Sequence, residues 1–100
     1  MSNYASSLEN VIYFLEEKSD NVEALTLKSK CELEMGNTSA AKMTIQKALA
    51  FRSSDGELYY IRAVINAQRG DHKLACKDIN IAAKFGFEGA EKRIDSFCNQ

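Results

Sequence analysis

Proline is absent from this chain of 100 residues, and glycine occurs only five times. Both residues disfavour a helix interior, proline because it lacks a backbone N–H and glycine because it loses more conformational entropy on folding. The composition therefore favours helices along the whole chain. The glycines can all be placed at the boundaries of periodic segments or in turns, at Gly36, Gly56, Gly70, Gly86 and Gly89.

Long hydrophobic runs are also lacking. The longest apolar run, residues 11–15, falls far short of the roughly 18 apolar residues that a membrane-spanning helix needs. It follows no basic segment and precedes no small-residue cleavage site, so it does not indicate a signal peptide. We expect no membrane partner.

An excess of either charge is missing as well. Thirteen Lys and Arg residues stand against fourteen Asp and Glu residues, for a formal net charge of −1. This balance creates no field that would attract phosphates, so we expect no nucleic-acid partner. Hydrophobic residues make up 45% of the chain and charged residues 27%, which suits one ordinary folded domain.

Groups suited to catalysis are few. The single histidine, His72, lies beside Asp71 in a predicted turn, where solvation explains it. The sequence has no Gly-rich phosphate loop, no nucleophile beside a base and no His-x-x-x-His pair, so we expect no enzyme activity, cofactor or metal. Four carboxylates are expected on helix surfaces, those of Glu16, Glu17, Glu32 and Glu34.

Cysteine usage gives a prediction about the compartment. Cys31, Cys76 and Cys98 are odd in number and widely spaced, without Cys-x-x-Cys spacing, so neither a disulfide framework nor a zinc site is indicated. We expect buried, reduced thiols in a cytoplasmic protein.

Apolar residues recur at helical spacing in successive segments with short connections, which predicts antiparallel neighbouring helices. We expect Asp20 to cap the second helix, with Glu23 in a capping box, and Ser54 with Glu57 to cap the fourth. The predicted helices cover residues 4–18, 22–35, 38–51 and 57–69, a fifth from Asp71 to near Phe85, and a short last helix with Ala90, Ile94 and Phe97 on one stripe.

The chain repeats itself after 34 residues. The matched pairs combine a turn glycine, small helix-contact residues and large apolar residues: Glu23 with Glu57, Gly36 with Gly70, Ala41 with Ala75, Ile45 with Ile79, Ala48 with Ala82, and Phe51 with Phe85. The glycines can adopt the left-handed conformation at a helix end. Ser29 and Ala63, facing Ala41 and Ala75, are small enough to let two helices approach closely.

A 34-residue helix-turn-helix period resembles the tetratricopeptide repeat. Residues 70–78 and 82–86 look like the common bacterial second helix of that repeat, and residues 59–63 like its first. The resemblance implies an all-α fold of antiparallel helix-turn-helix repeats in a short right-handed solenoid of about six helices. A single domain, 1–100, would comprise a half-repeat helix at 4–20, repeats at 22–55 and 56–89, and a capping helix at 88–98.

Some positions depart from the family pattern. Where the family pattern has a large aromatic residue, this chain has Leu25 in one repeat and Tyr59 in the other. Where the pattern has a closing proline, the chain has Ser53 and Phe87. The family leucine is replaced by Lys28 and Arg62, and the family tyrosine by Glu32 and Asn66.

Members of this family bind peptides or proteins in a concave groove lined by the first helix of each repeat. The resemblance therefore implies a non-catalytic adaptor or scaffold, with an apolar strip that includes Tyr60 and Val64. By alignment the peptide-binding residues are Glu23, Thr26, Lys30, Leu33, Glu34, Glu57, Tyr60, Val64, Ala67 and Gln68.

The alternative is a structural role, as a homodimer or as one end of a longer solenoid. The first helix is apolar on more than one side, and its second apolar side must be buried somewhere. The candidate self-association residues are Tyr4, Leu8, Ile12, Tyr13 and Phe14.

Overall fold

A computed structural model describes residues 3–99, and within that range it contains helices and no strands. The helices are α1 (Tyr4–Leu15), α2 (Val22–Glu34), α3 (Thr38–Phe51), α4 (Gly56–Gln68), α5 (His72–Lys84), a 3₁₀ turn (Glu91–Arg93) and α6 (Ile94–Cys98). The predicted all-α class is confirmed. The predicted bounds of α3 match those of the structure, whereas α1 ends three residues earlier than expected.

The chain divides into two compact units, one ending at Arg52 and the other beginning at Ser53. In the first unit, α2 packs against both α1 and α3. In the second, α4 packs against α5, and α6 packs against α5. The division into a half-repeat, two repeats and a cap stays a prediction.

Glycines end the helices as the sequence predicts. Gly36 has φ +83°, and the N–H of Asn37 donates to the carbonyl of Glu32 at 2.8 Å. The same bond recurs after α4, where Gly70 also has φ +83° and Asp71 N–H donates to the Asn66 carbonyl at 2.8 Å. A residue with a Cβ would be strained at this left-handed position, so the repeated glycine fixes where each pair of helices turns.

Asp71 occupies the N-cap position of α5 as predicted, without a side-chain cap hydrogen bond, whereas the caps of α2 and α4 are not the predicted residues. Asn21, rather than Asp20, caps α2, since its Oδ1 accepts a hydrogen bond from the Ala24 N–H at 2.8 Å. Asp55, rather than Ser54, caps α4 through the Glu57 N–H at 3.0 Å. A cap must directly precede the first helical residue, and the caps predicted for α2 and α4 each lie one residue too early.

Small residues bring the paired helices together. Ser29 and Ala41 are fully buried where α2 meets α3, and the Ser29 hydroxyl donates to the Ala41 carbonyl at 3.1 Å. Ala63 and Ala75 are buried in the same way in the second unit. The close approach predicted from these residues is confirmed.

A polar cluster is buried between α2 and α3. Glu32 accepts hydrogen bonds from Lys28 Nζ at 2.9 Å and from Thr44 Oγ1 at 2.7 Å. Lys28 Nζ also donates to Thr44 Oγ1 at 3.0 Å. The prediction that Glu32 lies on the helix surface is wrong, because its side chain faces α3 and is only 8% exposed.

The second unit contains the same cluster with the acid on the opposite helix. Asp78 on α5 accepts two hydrogen bonds from the Arg62 guanidinium, at 2.9 and 3.0 Å, and one from Asn66 Nδ2 at 2.9 Å. In the 34-residue alignment Arg62 matches Lys28, Asn66 matches Glu32 and Asp78 matches Thr44. The departure from the family tyrosine thus has a structural reason, since that position carries part of a buried ion cluster in both repeats.

This exchange of positions can be tested in the first unit. Glu32→Asn alone should destabilise the fold by about 1–3 kcal/mol, because it leaves the Lys28 ammonium without its carboxylate partner. The cost stays moderate because the Lys28 side chain is still 25% exposed to water. Thr44→Asp alone should also destabilise, because it places a second carboxylate beside Glu32. The double variant rebuilds the arrangement of the second unit within reach of Lys28 Nζ, so we expect it to recover at least about 1 kcal/mol over the sum of the single effects.

Urea unfolding of the four proteins measures this coupling, and Glu34→Asn, at an exposed acid on the same helix, is the matched control. If the effects of the two substitutions on the free energy of unfolding simply add, a carboxylate at position 44 on α3 cannot replace the carboxylate of Glu32 on α2.

Candidate binding surfaces

The predicted binding positions on α4 are all outside the fully buried core. Glu57, Tyr60, Val64 and Ala67 are half-buried, and Gln68 is exposed. They recur every three or four residues, so they follow one side of the helix. Three of them are apolar, which gives this side of α4 a hydrophobic strip with polar groups at both ends.

Tyr60 is more enclosed than the sequence suggested. Its ring lies 5.1 Å from that of Phe87 and 6.4 Å from that of Phe97, between centroids. The Arg93 guanidinium lies 5.9 Å from its centroid. The C-terminal segment of the chain therefore covers part of the residue that we expected to contact a partner.

The predicted positions on α2 also face outward, with more charge. Glu23, Lys30 and Glu34 are exposed, whereas Leu33 and Thr26 are half-buried. The Thr26 hydroxyl donates to the Val22 carbonyl at 2.8 Å within its own helix. The binding role of these residues, like that of the residues on α4, stays a prediction.

Glu23 already has a basic partner. Its Oε2 lies 2.7 Å from Arg52 Nη2, at the end of α3. The pKa of the Glu23 carboxyl is lowered, first by a hydrogen bond from its own backbone N–H and second by Arg52. A basic group on a partner would therefore compete with Arg52 for this carboxylate.

The candidate self-association residues on α1 are largely exposed. Tyr13 is 77% exposed, and Tyr4, Ile12 and Phe14 are also classed as exposed, while Leu8 is half-buried. Val11 and Leu15 are the α1 side chains that enter the core. The second apolar side of α1, which the sequence analysis expected to need a partner, is thus largely exposed among residues 3–99.

A cleft of about 450 Å³ runs between α1 and α2. Apolar side chains make most of its wall, and Glu23 and Asn10 supply polar groups. Its lining residues are Ser7, Asn10, Val11, Phe14, Glu23, Ala24 and Leu27.

The cysteine prediction is wrong for two of three residues. Cys76 on α5 and Cys98 at the end of α6 form a disulfide, with Cα atoms 4.6 Å apart. Cys31 is the buried free thiol that was expected, and burial raises its pKa. The available signal was the predicted capping helix, which carries Cys98 and has to pack back on the helix that carries Cys76.

No helix in residues 3–99 is long and apolar enough to cross a membrane. Within the same range, no group of three or more His, Cys, Asp or Glu side chains could hold a metal ion. His72 is the exposed first residue of α5.

Helix pairs at a 34-residue spacing, each turned by a left-handed glycine and closed on small residues, define a tetratricopeptide-like helical-repeat fold. The crystal structure of MamA, a protein that contains tetratricopeptide repeats, matches this chain with a TM-score of 0.87 and 17% sequence identity. The match covers 97% of this chain and 58% of MamA. No family model and no curated protein matches the sequence. Identity this low establishes the shared fold and nothing about a shared partner.

The ion pair of Glu23 yields a pH prediction. Because the folded-state pKa of Glu23 is lowered, its contribution to stability is present above the unfolded pKa and is lost as the pH falls through the folded value. Arg52→Ala should raise the Glu23 pKa but leave it below the ordinary glutamate value, since the backbone N–H remains.

Side-chain carboxyl shifts followed by NMR between pH 2 and about 7 measure both effects, in a range that spans ordinary carboxyl titration. Lys47→Ala, at an exposed lysine on the same helix, is the control. A full return of Glu23 to the ordinary value in the Arg52 variant would assign the whole effect to the ion pair.

Proposed function

We propose that this chain is a non-catalytic protein-interaction module of the tetratricopeptide repeat family that binds a peptide or protein segment. Each unit offers its own contact surface, the outward side of α2 in the first unit and that of α4 in the second. The apolar strip of Tyr60, Val64 and Ala67, which stays outside the fully buried core, carries the proposal.

Several observations support a protein partner over other classes. The near-neutral charge disfavours nucleic acid, and the titratable side chains buried between helices, Glu32 and Asp78, are engaged in structural ion pairs with Lys28 and Arg62. The proposal includes no cofactor and no membrane partner. The proposal places the protein in the cytoplasm, where Cys31 stays a reduced thiol.

The groove is tested by selecting binders from a displayed peptide library on the immobilised chain and measuring their affinity by fluorescence anisotropy. Val64→Asp should weaken binding by about tenfold or more, the equivalent of about 1.4 kcal/mol, because it puts a charge into the apolar strip. Leu74→Asp, at an exposed leucine on α5, is the matched control and should bind as the wild type does. Equal affinities for both variants would exclude the α4 strip as the contact surface, and circular dichroism confirms that each variant is folded.

The second candidate function is self-association through α1. It is favoured by the exposure of Tyr13 together with Ile12 and Phe14 on the same helix. Exposed acids, Glu9, Glu16 and Glu17, border these apolar residues. Two copies joined through α1 would bring like charges together, so salt should strengthen this association.

Light scattering over a dilution series tests this alternative. We expect a dimer that Tyr13→Glu dissociates and that Leu74→Glu leaves intact, because only the first change puts a charge into the α1 surface. A monomer at every concentration, at both low and high salt, would rule the dimer out and leave the α4 strip as the surface to study.

A further inference from the structure

Helix α6 is too short to be stable alone. It has five residues, and none of its side chains is fully buried. Isolated helices of this length do not persist in water, since too few hydrogen bonds offset the cost of nucleation. The position of α6 therefore depends on what attaches it to α5 and α4.

The non-covalent attachments are modest. Ile94, Phe97 and Cys98 are half-buried, and Phe97 meets Tyr60 at 6.4 Å between ring centroids. Arg93, just before the helix, lies 5.9 Å from the Tyr60 centroid. Ring and cation contacts at half-exposed positions are individually weak. The covalent attachment is the disulfide from Cys98 to Cys76, which spans 22 positions of sequence.

An apolar surface lies beneath this segment. Ala63, Ile79 and Ala82 form a buried cluster with Ala90, and Tyr60, Phe87, Ile94 and Phe97 pack against it. Removing α6 would take Ile94 and Phe97 away from that cluster. It would also uncover the side of Tyr60 that Phe97 contacts.

We propose that the Cys76–Cys98 disulfide is a thiol–disulfide exchange site, at which a dithiol reductant detaches α6 from α5 and uncovers the apolar surface around Tyr60 and Phe87. The inference goes beyond the proposed function, because the release of α6 can be measured in a chain that binds no peptide. If the α4 strip does bind partners, reduction enlarges it at the Tyr60 end.

The exchange balances with a dithiol alone. One thiolate of the reductant attacks Cys76 Sγ, the S–S bond breaks, and Cys98 leaves as a thiolate that takes up a proton. The second thiol of the reductant then attacks the mixed disulfide and releases Cys76. Two electrons and two protons pass to the protein, and the reductant becomes a disulfide.

The surroundings of the disulfide are compatible with attack by a reductant. Both cysteines are half-buried rather than sealed in the core. Asn80 Nδ2 donates to the Cys76 carbonyl at 2.9 Å and lies 3.5 Å from Cys98 Sγ and 3.7 Å from Cys76 Sγ, so this amide can also donate to whichever sulfur leaves. Cys31 does not compete, because it is buried and a buried thiol is a poor nucleophile.

Hydrogen exchange detected by mass spectrometry tests the proposal on the full chain, oxidised and after treatment with dithiothreitol. Amides of residues 91–99 should exchange on the order of a hundredfold faster after reduction, given the entropy that a cross-link of this loop length removes. Amides of α4 and the first two turns of α5 should keep their protection. The Cys76→Ser/Cys98→Ser double variant should behave as the reduced protein without reductant, and Cys31→Ser should respond as the wild type does.

Three outcomes would overturn the proposal. Unchanged protection of residues 91–99 in the reduced chain and in the double variant would mean that packing alone holds α6. Loss of protection throughout α4 and α5 would make the disulfide a staple of the whole unit instead of a local tether. A disulfide that resists millimolar dithiothreitol unless the chain is denatured would be closed to exchange.

Discussion

One buried carboxylate stands between α2 and α3 and another between α4 and α5, and each constrains how its two helices can pair. Small residues such as Ser29 and Ala41 let the helices approach so closely that the groups beside them lose water. A carboxylate in that position is costly unless a cation and a further donor reach it. Lys28 and Thr44 do so for Glu32, and two side chains of α4 do so for the acid of α5. Each cluster is therefore stable only when its own two helices are in register.

Periodicity and glycine placement predicted most of the fold, since both are local properties of the chain. The repeat was visible because Gly36 and Gly70 have the same backbone requirement. The burial of Glu32 could not be predicted in this way, because a carboxylate is buried only if partners on another helix neutralise it, and those partners are distant in sequence. The Cys76–Cys98 bond was missed for a similar reason, since cysteine spacing alone says nothing about which helices pack together.

The first and last helices differ in what covers them. Helix α1 contributes Val11 and Leu15 to the core and leaves an apolar side, including Tyr13, exposed to solvent. Helix α6, in contrast, has no fully buried side chain of its own, but it covers part of the apolar surface on α4. Tyr60, one of the residues predicted to bind a partner, is already a contact of the last helix. The proposed binding there and the proposed release of that helix would involve the same apolar surface.

The buried acid lies on the first helix of one pair, as Glu32 on α2, and on the second helix of the other, as Asp78 on α5. This difference affects which helices can pair during folding. If α2 paired with α5 instead of α3, Lys28 and Glu32 would meet Asp78, so one cation would face two acids. If α4 paired with α3, Arg62 would lie beside Thr44 with no carboxylate to neutralise it. Both incorrect pairings would bury an unbalanced charge, although the 34-residue repeat places similar apolar residues, such as Ile45 and Ile79, at matching positions. The polar cluster therefore makes each repeat specific for its own partner helix, in a chain whose hydrophobic pattern alone would permit exchange.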